Sequence, residues 1–365
     1  MTARAEPLHA NEVRAVWDGP IIDADVHINA SMAALRPYLD AYWQEFMRER
    51  RWGGPPAGIH RIYPGRASSS VMAAWVPGDG RPPASDLQLL REHILDHLRV
   101  DYAIANCYFG LDSLRHPEFT TALACAINDW LIEEWLERDP RLRASIVVPP
   151  RDLDAAIAEV KRVGGHPGFV QALMPVRSER LYGNRMYFRL IEEIATNDLV
   201  FGLHFGGTPE GPPTSTGWPS YYVEEYAGEV GLYWAQLTSL IAEGTLQRLP
   251  SLRVAVLEGG WAWLPSLWWR LDKDWKGLRR DTPWVNEPPS RLIRERMRVS
   301  VAPVDGGPPD DIAAMLRWLA TDELLMFATD YPHWHDDDLV VLLAAMDDGA
   351  RSRLMAENAR EFYRL

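Results

Sequence analysis

The sequence predicts an α/β fold, a (β/α)8 TIM barrel with a long insertion after its first strand and a C-terminal helix. Three observations carry this. Short apolar runs alternate with helical segments along 365 residues, as eight βα units in one chain require. No Gly-rich dinucleotide fingerprint follows any of the runs, which removes an open doubly wound sheet as the main rival. Four runs end in a side chain able to bind a metal: 21–27 (IIDADVH), 199–204 (LVFGLH), 252–258 (LRVAVLE) and 324–330 (LLMFATD).

The first strand is 21–27, where alternation with period two places Asp23, Asp25 and His27 on one face. A stretch of about sixty residues follows, 30–90, rich in Pro, Gly, Arg and Trp; such length in a βα connection suits a lid or subdomain. A helix ends over 93–98, and 100–107 (VDYAIANC) reads as a buried strand. An amphipathic helix over 120–137 stops before Asp139-Pro140 and leads to strand 142–148. The helix 152–163 opens on an acidic N-cap and stops at Gly164-Gly165. Strand 168–173, helix 186–196, strand 199–205 and helix 231–246 follow, then strand 253–257 and helix 264–278. Strand 298–301, helix 311–319 and strand 324–328 complete the barrel, and an amphipathic helix over 351–365 is expected to pack on its outside. One domain spanning 1–365 is the economical reading, with 30–90 a lid or insertion within it.

The bulk numbers exclude several classes. Against 38 Lys and Arg stand 51 Asp and Glu, and a net charge of −13 disfavours nucleic acid as a partner. Two cysteines, Cys107 and Cys125, each in an apolar run, make no disulfide framework and point to a reducing, cytoplasmic compartment. The first twenty residues lack the apolar core of a signal peptide, and no membrane-spanning run is present, so a soluble protein is expected. Trp261, Trp263, Trp268, Trp269 and Trp275 cluster at helical spacing, as core packing or a homodimer interface requires.

In a barrel, active-site residues project from the C-terminal ends of the strands. Asp25 and His27 hold that place on strand 1, His204 on strand 5, Glu258 on strand 6 and Asp330 on strand 8. Imidazole and carboxylate together suit Zn, Mn or Fe, as one or two divalent ions. Asp23, one pleat deeper, reads as a buried hydrogen-bond partner. His333 and His335 follow Asp330 on a loop, with His333 the better placed to assist it. The Gly/Pro-rich loop 206–225 brings Trp218, Tyr221 and Tyr222 to the mouth as substrate contacts, and Arg177 after strand 4 suits an anionic group.

The chain resembles the metal-dependent amidohydrolase superfamily, in the amidohydrolase-2 branch that contains decarboxylases of the aminocarboxymuconate-semialdehyde type and ring-cleavage hydrolases. The resemblance rests on IDADVH, GLHFGG, VLEGGWAWLP, FATDYPHW and AENAREFYRL in that order, covering nearly the whole chain. It implies metal ligands at Asp25, His27, His204, Glu258 and Asp330, with two departures: Asp25 and Glu258 stand where the family pattern has histidines. The carboxylated Lys of many binuclear relatives has no counterpart, because 168–176 (GFVQALMPV) contains no Lys. A carboxylate such as Glu258 leaves a two-metal site open.

The leading expectation is a metal-dependent hydrolase that cleaves an acyl bond of a bulky small molecule, a thioester, amide or ester. Metal-bound hydroxide forms at neutral pH because the ion lowers the pKa of its water to about 7. Asp330 or Glu258 takes that water's proton and passes it to the leaving group. The wide aromatic mouth suggests a coenzyme A thioester. The alternative is metal-dependent non-oxidative decarboxylation of an aromatic or unsaturated carboxylic acid. A binding protein on a degenerate barrel is the third reading.

Overall fold

The computed structural model describes residues 10–55, 71, 75–207, 211–333 and 339–365. Eight parallel strands run in sequence order: β1 (Ile22–His27), β2 (Tyr102–Asn106), β3 (Leu142–Val147), β4 (Phe169–Pro175), β5 (Val200–His204), β6 (Val254–Leu257), β7 (Met297–Ser300) and β8 (Leu325–Met326). All residues of β1 and β4 are buried, as expected of parallel strands covered on both faces. Closure is made by the residues around β8. Ala24 N–H donates to Phe327 O at 2.9 Å, and Asp330 N–H donates to Asp25 O at 3.0 Å. The result is a (β/α)8 barrel.

Helices return the chain between strands, among them Pro117–Leu131, Leu153–Val163, Phe188–Thr196, Val230–Ala242, Leu264–Leu278 and Pro309–Leu319. The Asp152 side chain accepts from Ala155 N–H and starts the second of these, as its sequence position predicts. The helix expected to run to 137 instead changes to a π-helical turn over Ile132–Leu136. The tryptophan cluster divides: Trp261 and Trp268 are buried in the core, whereas Trp269 is half exposed and meets Trp318. No described helix is long and apolar enough to cross a membrane. Cys107 and Cys125 are free thiols.

Two local features depart from the expected pattern. In β1, Asp23 pairs with Ala103 but Val26 pairs with Ala105, so three steps on one strand match two on the other. This bulge turns Asp23 away from the face that carries His27, which pairs with Asn106. Asp23 instead accepts from Thr329 N–H at 3.0 Å and Thr329 Oγ1–H at 2.6 Å, tying β1 to the chain that follows β8. The second departure is the C-terminal helix Asn358–Tyr363. Rather than lying outside, it packs Ala359, Phe362 and Tyr363 into one buried cluster with Ile22, Ala24, Ile104, Val200, Ala255 and Met326 from the strands.

Between β1 and β2 the described insertion contributes the helices Met32–Leu35, Ala41–Arg50 and Leu87–Leu90. Val71 makes an antiparallel bridge to His333, and the ring of Trp75 packs 4.9 Å from that of Tyr331. Residues 56–70 and 72–74 of this insertion, His60 with them, lie outside the described residues.

Candidate metal centre

The strand ends bring four buried side chains to one point. One ligand atom each from Asp25, His27, His204 and Asp330 lie within 4.8 Å of one another. A second grouping of the same tightness joins His27 and Asp330 to Glu258 and His333. His27 Nε2 lies 2.8 Å from Asp330 Oδ1, and His204 Nε2 lies 3.2 Å from Asp25 Oδ2 and 3.8 Å from Glu258 Oε2. Both Glu258 and Asp330 have φ of +54°, a left-handed conformation that costs a non-glycine residue energy and is concentrated at functional sites.

Asp25, His204 and Glu258 are each held by a partner outside the cluster, and Asp330 by His333 within the second grouping. Asn106 Nδ2 donates to Asp25 Oδ1 at 2.7 Å. His204 Nδ1 lies 2.8 Å from the Phe205 carbonyl, which accepts only, so Nδ1 carries the proton and the lone pair of the neutral ring is on Nε2. Tyr226 Oη–H donates to Glu258 Oε1 at 3.2 Å, and Ser300 Oγ accepts from Glu258 N–H at 3.0 Å. His333 Nδ1 sits 3.1 Å from Asp330 Oδ2.

The electrostatics fit a cation. Burial works against a charged His204, but Asp25, Glu258 and Asp330 outweigh it and push the ring up to about 10. Burial, reinforced by neighbouring His333, holds His27 below its usual range despite Asp330. Asp25 Oδ2 and His204 Nε2 are buried and make no hydrogen bond, although they face each other across 3.2 Å. An oxygen and a nitrogen without a well-formed hydrogen bond, paired only with each other and aimed at the same space, are what a divalent metal would satisfy. Three carboxylates and two imidazoles suit Mn, Zn or Fe.

The substrate residues expected at the mouth have different surroundings. The Arg177 side chain is buried, and its guanidinium pairs with Glu229 and, at 3.1 Å, with Glu225. Trp218 and Tyr221 are exposed at 62% and 71%, on the outer surface of the loop. Tyr222 stacks on Tyr226 with ring centroids 5.8 Å apart, and Tyr226 reaches Glu258. His335 and residues 208–210 of the loop lie outside the described residues. Asn106 and Tyr226 escaped sequence reading. Asn106 ends its strand as His27 ends β1, and Tyr226 stands one helical turn after Tyr222, so both had a positional signal.

Comparison with known proteins places this geometry. The profile of the family described as Amidohydrolase matches residues 22–365. A gamma-resorcylate decarboxylase of Rhodococcus jostii (strain RHA1) is 24% identical over 329 residues, covering 80% of this chain and 93% of that protein. Among solved structures, an amidohydrolase of Mycobacterium avium subsp. paratuberculosis K-10 superposes with a TM-score of 0.68 at 18% identity, covering 95% of this chain and 100% of that one. A 5-carboxyvanillate decarboxylase of Novosphingobium aromaticivorans, solved with manganese and 3-methoxy-4-hydroxy-5-nitrobenzoic acid, gives 0.68 at 16% identity, covering 95% and 98%.

These relatives overturn the expectation of acyl hydrolysis, and with it that of a thioesterase. The curated relative and the 5-carboxyvanillate enzyme that resemble this chain are decarboxylases, and the coenzyme A thioester was inferred only from the hydrolytic reading. The physical reason for the error is that both reactions use the same ligands, a divalent metal and one proton-transferring acid. The match over residues 22–365 and the barrel with its strand-end ligands make the chain an enzyme of the amidohydrolase superfamily, and it belongs to the Amidohydrolase family, in the amidohydrolase-2 branch.

Proposed function

We propose that the protein catalyses metal-dependent, non-oxidative decarboxylation of an aromatic carboxylic acid that carries an oxygen substituent beside its carboxylate. The observation that carries this reading is the buried cluster of Asp25, His27, His204 and Asp330, whose ligand atoms face one point. The likeness to decarboxylases of gamma-resorcylate and 5-carboxyvanillate supports the substrate class. A divalent ion bound there would supply positive charge to hold the carboxylate and its neighbouring oxygen in place beside the acid.

The chain's own residues do the rest. Asp25, His27, His204 and Asp330 would hold the ion, and Glu258, fixed by Tyr226, would add a further oxygen to the same space. Asp330 gives a proton to the ring carbon as its bond to the carboxylate breaks and carbon dioxide leaves. His333, whose side chain is 25% exposed and 3.1 Å from Asp330 Oδ2, returns a proton from solvent to Asp330. The near-parallel ring of Tyr108 over His204 and the edge-to-face Phe205–Tyr226 pair give an aromatic substrate an apolar wall. The described part of the insertion, bridged to His333 at Val71, acts as a lid that excludes water from the protonated carbon.

The test is product analysis with the manganese-loaded protein and a panel of hydroxybenzoic acids, 2,6-dihydroxybenzoate and 5-carboxyvanillate included. Formation of the corresponding phenols is expected. If every acid is recovered intact, the proposal fails.

A further inference from the structure

A line of buried polar side chains runs through the barrel interior from the C-terminal helix to the metal centre. Tyr363 Oη–H donates to Gln171 Oε1 at 3.0 Å. Gln171 Nε2 donates to Ser145 Oγ at 2.8 Å, and Ser145 Oγ–H donates to Asn106 Oδ1 at 2.6 Å. Asn106 Nδ2 then donates to Asp25 Oδ1 at 2.7 Å. Asp25, Asn106, Ser145 and Gln171 are wholly buried, and Tyr363 is 4% exposed.

The chain has only one consistent sense. An ionised carboxylate accepts and does not donate, so Asn106 must turn its amide nitrogen to Asp25 and its oxygen to Ser145. Ser145 must then donate to that oxygen and accept from the Gln171 nitrogen, which leaves the Gln171 oxygen for the Tyr363 hydroxyl. Each link is set by the one before it, back to Asp25. Space is kept for it as well: on β5, Gly202 faces Gln171 so closely that a Cβ would stand 2.5 Å from the Gln171 Cδ. A side chain there would drive the carboxamide out of line.

We propose that Tyr363 is a positioning residue for the metal centre, acting through Gln171, Ser145 and Asn106 to fix the Asp25 carboxylate with Oδ1 engaged and Oδ2 presented to the metal. The inference rests on the proposed role of Asp25 as a ligand. It gives the C-terminal helix a function beyond packing, because its last buried side chain orients a ligand on the first strand. Partners of this kind that orient ligands are worth roughly 10–100-fold in metal affinity, and a residue at the far end of the line should be worth about 3–10-fold.

The experiment measures the Mn²⁺ dissociation constant of the full chain by titration calorimetry, with melting temperature as a separate readout. Tyr363→Phe removes only the hydroxyl and should weaken Mn²⁺ binding several-fold. Phe362→Leu, on the same helix but outside the line, should lower the melting temperature and leave the dissociation constant unchanged. In an Asn106→Ala background, or Asn106→Ser should that variant fail to fold, Tyr363→Phe should have no further effect on binding. Equal Mn²⁺ affinity in Tyr363→Phe and the unaltered chain overturns the inference. So does an undiminished effect in the Asn106 background, or an equal loss of affinity in Phe362→Leu. If the unaltered chain binds no Mn²⁺, the proposed function falls and this inference falls with it, whereas tight binding that is insensitive to Tyr363 removes the inference alone.

Discussion

His27, the last residue of β1, and Asp330, which follows β8, are 303 positions apart in the chain, yet His27 Nε2 lies 2.8 Å from Asp330 Oδ1. The contact exists because the barrel closes: Asp330 N–H donates to the Asp25 carbonyl and holds the two strand ends together. A ligand site made this way is intact only in the complete fold, and its two halves come from opposite ends of the sequence.

Asp330→Asn keeps the size of the side chain and removes its acid. In the proposed reaction, turnover should fall roughly 10²–10⁴-fold, the usual worth of a positioned general acid, with circular dichroism unchanged. Decarboxylation at the original rate in this variant would remove Asp330 from its role.

Stripping the metal with a chelator should abolish carbon dioxide release, and added Mn²⁺ should restore it. The same titration should raise the melting temperature, since an ion present at a hundred times its dissociation constant stabilises the fold by about 2.7 kcal/mol. Full activity in protein shown by elemental analysis to be free of metal contradicts the account.

The pH dependence follows from His204. Its folded pKa, pushed up to about 10 by Asp25, Glu258 and Asp330 against the cost of burial, lies above the ordinary value of 6.5. A protonated ring is therefore favoured in the folded metal-free chain, and its stabilisation is complete below about pH 6.5 and lost as pH rises towards 10. With metal bound, the ion takes the proton's place and this loss should disappear. Melting curves of both forms between pH 6 and 10 check the sign, and a metal-free chain that gains stability over that range contradicts it.

Asp23 carries a stability prediction. It accepts from Thr329 N–H, Thr329 Oγ1–H and Asp25 N–H, all buried, so Asp23→Ala leaves three donors without their partner. Loss of about 2–3 kcal/mol is expected from denaturant unfolding. A change below about 0.5 kcal/mol, the range of surface substitutions, would show that the bulge does not depend on this clasp.

Much of this was legible before folding. Strands buried on both faces read as unbroken apolar runs, so a polar side chain at the end of a run, as at His204 or Asp330, announces itself. The bulge in β1 was not legible, because one extra residue between Asp23 and Val26 changes the direction of side chains without changing composition. The seat of the C-terminal helix was hidden for a related reason. Its amphipathic pattern shows that one face is buried, but only the fold shows that Tyr363 meets Gln171 inside the barrel. Asn106 was overlooked because an amide is an uncommon ligand for a transition metal, although it holds Asp25 in place. The choice between hydrolysis and decarboxylation could not be read from ligands that serve both.

The most direct test of the central claim uses the manganese-loaded protein, a hydroxybenzoic acid with a ¹³C-labelled carboxylate, and D₂O as solvent. The account expects labelled carbon dioxide to be released and one deuterium to appear on the ring carbon that carried the carboxylate, both suppressed together in Asp330→Asn. An absence of labelled carbon dioxide across the panel, in protein carrying a full complement of Mn²⁺, would contradict it.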